Sequence, residues 1–233
     1  MRTRRILIAV VATAVLVAGA VAAFALTRSQ AAAPGCADIQ AYQERYGEVE
    51  PLGRGARGVT VLGDSYSAGD TLSDRGQRWT DELVRLEPDL TVTLDAVGGT
   101  GYANPGLCGD ESFRDRIGRA LEVSDGDPLI IQGGINDVFA HPADLEAAVD
   151  DVLAHAEAAG EVVLIGPIDA PATDRERDVD ALLAREAQRH GFAYISTLEW
   201  RLPFGADRLH LTAEGHRAYA ERVRDALRQA GVL

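Results

Sequence analysis

The sequence predicts an α/β fold, a three-layer α/β/α sandwich built on a five-stranded parallel sheet. Two observations carry this expectation. Short apolar runs alternate along the chain with longer segments of helical periodicity, the pattern of repeated β-α-β units. The runs themselves, VTVL at 59–62, PLIIQ at 128–132 and EVVLI at 161–165, are apolar without strict alternation. Strands covered by helices on both faces read this way. In such sheets the crossovers are right-handed and chemistry gathers in the loops at the carboxyl ends of the strands.

The first segment lies outside the sheet. Arg2, Arg4 and Arg5 precede an uncharged apolar run from Ile6 to Leu26, and polar Thr27, Arg28, Ser29 and Gln30 follow. A helix of roughly 20 residues spans about 30 Å, the thickness of a bilayer core. Residues 1–33 are therefore expected to be a signal peptide or a signal anchor with a short linker, in contact with the membrane. Its length favours the anchor; Ala31-Ala32-Ala33 offers a cleavage site. Basic residues before the run and an acidic domain after it place the domain outside the cytoplasm, secreted or held by the N-terminal helix.

Residues 34–57 read as a connector with one helical candidate, Asp38–Tyr46, and residues 58–233 as a single domain. Strands are expected at Gly58–Leu62, Leu90–Ala96, Pro128–Gln132, Glu161–Ile165 and Phe192–Ile195. Helices are expected between and after them. Gln77–Leu86 carries Trp79, Leu83 and Leu86 at helical spacing. Pro142–Ala159 starts on proline, ends before Gly160 and places Leu145, Val149, Val152 and Ala156 on one face. Asp174–His190 and Thr212–Ala230 complete the set.

Charge narrows the function classes. The chain carries 36 acidic and 23 basic residues, a formal net charge of −13, and every basic residue is arginine. Such a surface repels phosphate backbones, which argues against nucleic acid, and gives no pull toward anionic headgroups. The two cysteines, Cys36 and Cys108, are expected to pair in an oxidising compartment, with two free thiols the alternative. Neither has a ligand partner at zinc spacing. The run Gly98-Gly99-Thr100-Gly101 lacks the Lys-Ser/Thr end of a phosphate-binding loop. Neither metal nor cofactor is expected.

Three strand-end motifs carry chemistry. After the first strand stands Gly63-Asp64-Ser65-Tyr66-Ser67-Ala68-Gly69. A serine at a strand-to-helix turn exposes its hydroxyl, and its amide can help hold an oxyanion. After the third strand comes Gly133-Gly134-Ile135-Asn136-Asp137, whose Asn136 amide can donate to an oxyanion without carrying charge. Near the C-terminus, Asp207 lies three residues before His210, within reach of its Nδ1–H on a turn. Each alone reads as a turn, a cap or a satisfied side chain; Ser, Asp and His in that order at the ends of one sheet read as a catalytic set. The G-x-S-x-G elbow of α/β-hydrolases is absent. His141, His155, His190 and His216 have no carboxylate so placed and are expected to be structural or surface residues. Asp137 is expected to support the Asn136 loop, and Asp64 to shape the serine turn.

The segments GDSYSAG, GGIND and DRLHLTAEGH resemble, in order, the first, third and fifth blocks of the SGNH, or GDSL, hydrolases. The resemblance covers the chain from about Gly58 to the C-terminus. It implies the flavodoxin-like sandwich of that family and a serine esterase with Ser65 as nucleophile, His210 as base and Asp207 as its orienter. It also implies an oxyanion hole of the Ser65 amide, a glycine amide from the second block and Asn136. That block resembles Ala96–Tyr102, which makes Gly99 the expected donor and Gly98 the alternative. The asparagine that often opens the block is not evident, with Leu94 and Asp95 nearby. Expected substrates are small-molecule, glycan or lipid esters, with short acyl groups favoured because no long apolar insertion could serve as a lid. An acyltransferase, a lipase or phospholipase, and a non-catalytic glycan-binding module are the alternatives.

Overall fold

The computed structural model describes residues 34–233; the expected leader at 1–33 lies outside the described residues. Helix α1 (Cys36–Tyr46) and the short strand β1 (Glu50–Gly53) precede β2 (Arg57–Gly63). The four-residue helix α2 (Ser65–Ala68) and α3 (Trp79–Leu86) lead to β3 (Leu90–Ala96). Then α4 (Phe113–Ser124) leads to β4 (Leu129–Gln132), α5 (Pro142–Ala156) to β5 (Val162–Ile165), and α6 (Glu176–His190) to β6 (Ala193–Ile195). Helix α7 (Ala213–Ala230) follows the last strand.

The strands form one sheet in the order β1-β3-β2-β4-β5-β6. All pairs from β3 to β6 are parallel, while β1 runs antiparallel to β3 with Leu52 opposite Val92. The sheet thus has six strands rather than the five expected, and the extra one comes from the connector. Its sequence, Glu-Pro-Leu-Gly, buries only Leu52. Proline cannot donate to a ladder, so only an edge strand tolerates it, and such a strand has little sequence signal.

Both faces of the sheet are covered, which is why its strands are apolar throughout. Val59, Val61, Ile130, Val163 and Ile165 pack with Trp79 and Leu83 of α3 and with Tyr219 and Val223 of α7. The intervening residues Leu62, Leu129, Ile131, Val162 and Leu164 turn the other way, onto Phe113 and Ile117 of α4, Leu145 and Val149 of α5 and Leu183 of α6. Thr212 caps α7 by accepting from the Gly215 amide at 3.1 Å. Helix α4 has no counterpart in the sequence reading; its Ser112/Asp115 capping box marks its start.

Cys36, at the start of α1, and Cys108 form a disulfide across 72 residues with their Cα atoms 5.1 Å apart. It fastens α1 to the loop between β3 and α4. Closing a loop of that length is expected to stabilise the fold by ~4 kcal/mol through the unfolded chain. Urea unfolding with and without reductant measures this; a difference below ~1 kcal/mol means α1 docks equally well untethered. No helix among the described residues is long and apolar enough to cross a membrane.

Candidate active site

Strand β2 has β3 on one side and β4 on the other, so the strand order reverses beside it and a crevice opens at its carboxyl end. Ser65, the first residue of α2, sits there, 4% exposed. A buried polar chain holds its turn. Trp79 Nε1 donates to Ser67 Oγ at 3.1 Å, and Ser67 donates to Gln132 Oε1 at 2.5 Å. Gln132 Nε2 then donates to Asp64 Oδ1 at 3.1 Å, which also accepts the Tyr66 amide at 2.9 Å. Asp64 therefore caps α2, as expected of a residue that shapes the turn. Burial pushes its carboxyl up to about 7, against the lowering effect of these two donors.

Asp207 and His210 are brought together on the loop before α7. His210 Nδ1 lies 2.7 Å from Asp207 Oδ2, and Asp207 Oδ1 accepts the amides of Leu209 and His210 at 3.1 and 3.0 Å. Partial burial raises the Asp207 carboxyl, but the His210 ring and these amides outweigh it and hold it below the usual carboxylate range. Between the pair Arg208 has φ 60°, a left-handed conformation uncommon for a residue with a side chain. Backbone bonds from two loop residues hold it there: the Ala172 amide donates to Arg208 O at 3.1 Å, and Arg208 N to Gly205 O at 3.0 Å. Tyr66, next to Ser65, donates its hydroxyl to Leu209 O at 2.5 Å, and its ring centroid lies 6.1 Å from that of His210. The Asp-His loop therefore packs on the serine turn.

His216, one turn into α7, is buried, and its Nδ1 accepts the Trp79 amide at 3.3 Å. Burial first, then His210 and Arg78, lower its pKa to about 3. A histidine kept neutral in the fold stabilises fully above its unfolded pKa, and that stability is lost as pH falls toward the folded value. Between pH 7 and 5 this amounts to about 2 kcal/mol. The stability gap between wild type and His216→Gln should narrow by that amount in urea titrations at the two pH values; an unchanged gap assigns the acid sensitivity elsewhere.

The third wall comes from the loops after β3 and β4. Gly99 has φ 76°, a conformation that favours glycine. Asn136 Nδ2 donates to Thr100 O at 2.8 Å, leaving its second N–H free of that bond, and Asn104 Nδ2 donates to Asn136 O at 3.0 Å. Asp137 accepts the amides of Tyr102, Ala103 and Asn104 at 2.9, 3.0 and 3.1 Å, so it fixes the neighbouring loop to the Asn136 turn.

The sequence reading missed the side chain that joins these parts, Arg116 of α4, which is 1% exposed. It donates to Asp95 Oδ1 at 2.6 Å, Gly63 O at 3.0 Å, Thr100 Oγ1 at 2.8 Å and Glu111 O at 2.8 Å. Arg119 also donates to Asp95, at 2.8 Å. One cluster among the described residues could hold a cation, Asp150, Glu186 and His190 on α5 and α6. Arg189 and Arg185 already pair with its carboxylates, and it contributes nothing to the serine site.

Est24, a carbohydrate acetylesterase from Sinorhizobium meliloti, superposes with a TM-score of 0.65 at 18% identity, over 76% of this chain and 100% of that one. The M. smegmatis aryl esterase superposes with a TM-score of 0.63 at 16% identity, over 75% and 99%. At these identities the likeness is one of fold. No curated protein sequence matches the chain. The GDSL-like lipase/acylhydrolase pattern, however, matches residues 61–218. Because that match runs from within β2 into α7 and spans all three walls of the crevice, the chain belongs to the GDSL-like lipase/acylhydrolase family.

Proposed function

We propose that this protein is an extracytoplasmic serine esterase acting on short acyl esters, acetyl esters above all, with Ser65, His210 and Asp207 as its triad. The observation that carries the reading is the 2.7 Å bond between Asp207 Oδ2 and His210 Nδ1, on a loop packed against the serine turn. With Nδ1 so engaged, Nε2 is the nitrogen left to take the proton of Ser65 Oγ as it attacks the ester carbonyl. The tetrahedral oxyanion is held by the Ser65 amide, the Gly99 amide and the free N–H of Asn136. Collapse expels the alcohol with the proton from His210; water, activated by the same imidazole, then releases the acid.

Short acyl groups fit the surface. Among the described residues four large apolar side chains are exposed, Tyr46, Leu107, Val123 and Phe139, too few for the broad apolar patch of a lipid-surface enzyme. The disulfide, with the basic and apolar leader, supports a place outside the cytoplasm. The test is hydrolysis of p-nitrophenyl acetate and butyrate together with fluorophosphonate labelling mapped to a residue. Turnover with the label on Ser65 is expected. A folded protein with neither overturns the reading in favour of a binding module.

A further inference from the structure

We propose, on the footing of the esterase reading, that the groove between α1 and residues 73–78 is a saccharide subsite. Asp70, in the narrow cleft that adjoins this groove at Tyr42 and Arg75, accepts a hydrogen bond from a sugar hydroxyl beside the ester.

Asp70 lies among the parts of the site yet has no part in the acyl-transfer steps. Its amide donates to Ser65 O at 3.0 Å. Its carboxylate rests against the oxyanion loop, where a Cβ on Gly98 would stand 1.9 Å from Oδ2. His210 is within electrostatic reach. The side chain is only 5% exposed. Among the described residues its carboxylate accepts no hydrogen bond, and its ion-pair partner is Arg75 at 3.5 Å. Buried carboxylates ordinarily find donors. The next residue repeats the pattern. Thr71 is β-branched and buried, holds φ 67°, and has a hydroxyl without a partner. Left-handed backbone at a β-branched residue is an outlier that concentrates at ligand sites.

The groove leads to this point. It encloses about 580 Å³, the size of ordinary small-molecule sites. Tyr42 and Arg75 line both it and the narrow cleft under α1 that reaches Asp70 and Gly98. Its walls are aromatic and charged. The Arg75 guanidinium lies 4.0 Å over the Tyr42 ring, and Arg45 lies 5.1 Å over Tyr46. Arg78 is tied to Glu50 at 2.8 Å and to Asp81 at 2.5 Å. The apolar part of this surface is two tyrosine rings and Ala41 rather than aliphatic side chains that would hold an acyl chain, and its guanidiniums and carboxylates offset one another toward a polyanion. Hydroxyls that both donate and accept, on rings that pack against tyrosine, suit it. The Cys36–Cys108 disulfide fixes α1, and with it the groove wall, to the oxyanion loop.

The test compares kcat/KM for a mono-O-acetylated methyl pyranoside, its acetylated disaccharide counterpart and p-nitrophenyl acetate, using the full chain purified in mild detergent. In Asp70→Ala the ratio of pyranoside to p-nitrophenyl acetate should fall about 10- to 100-fold, the loss of a hydrogen bond to a charged acceptor. Asp70→Asn, which keeps a neutral acceptor, should recover part of it. Tyr46→Ala, at the exposed rim, should lower the disaccharide ratio by about 3- to 10-fold, which keeps the test open if Asp70→Ala does not fold. Parallel loss on all substrates, or ratios within about threefold of wild type in both variants, overturns the subsite while Ser65 labelling by fluorophosphonate leaves the esterase standing. A wild-type chain that neither labels nor turns over any ester overturns both.

Discussion

Ser65→Ala is expected to lower kcat on p-nitrophenyl acetate by on the order of 10⁵- to 10⁶-fold, and Asp207→Asn by about 10⁴-fold. The two losses have different physical origins. On the proposed mechanism alanine removes the atom that would carry the acyl group, so only positioning and the oxyanion donors would remain to act on water. Asparagine leaves the loop intact, because its carbonyl oxygen can still accept the Leu209 and His210 amides that now bind Asp207 Oδ1. Its –NH₂ would instead face Nδ1, where Oδ2 now stands at 2.7 Å. That arrangement puts the imidazole proton on Nε2, the nitrogen that must accept from the serine. Single-turnover kinetics with a folded-state check by circular dichroism decides the matter. Activity within tenfold of wild type in either variant removes that residue from the triad.

Much of the sheet is legible because burial on two faces leaves a strong signature. Strand β3 was expected at Leu90–Ala96 and lies there. The other four expected strands match to within a residue at each end. What the sequence hides is weakly apolar or locally ambiguous. Strand β1 has one buried side chain and a proline. Helix α4 carries Phe113, Ile117 and Ala120 on its buried face, but Gly118 and four charged residues stand among them. Helix α5 stops at Ala156, short of the expected Ala159, because residues 157–159 tighten into a turn in which Ala158 and Ala159 donate to His155 and Ala156.

The site divides along the same line. Chemically distinctive residues in the loops that follow strands, Ser65, Asn136, Asp207 and His210, can be proposed for the site because the topology says where to look. The residues that hold them cannot. Gln132 ends an apolar strand and Asp70 follows a glycine turn; neither type is rare there, and only the fold places one behind Asp64 and the other against Gly98. Asp95 stands where the family often has an asparagine nearby, and it is 0% exposed because Arg116 and Arg119 reach it. Pairing across separate elements leaves no local period to read.

Arg116 gives the second large expectation. Its guanidinium joins Gly63, just before the serine turn, to Asp95 at the end of β3 and to Thr100, whose carbonyl holds the Asn136 amide. Arg116→Met should therefore act on two quantities. Stability should fall by about 3–5 kcal/mol, the cost of leaving a buried ion-pair partner unmatched, toward the lower figure because Arg119 still reaches Asp95. The kcat should fall by about 10²-fold with little change in KM, since a shifted Thr100 misplaces a donor that matters only once the oxyanion forms. Arg116→Lys separates the two effects. An ammonium restores the charge opposite Asp95 but lacks the planar fork that reaches Gly63 O and Thr100 Oγ1 together. Stability should return in part and kcat should not. Urea titration and steady-state kinetics on the same preparations measure both. If lysine restores kcat along with stability, the charge alone suffices, and the oxyanion wall is positioned by Asp137 and its three amides instead.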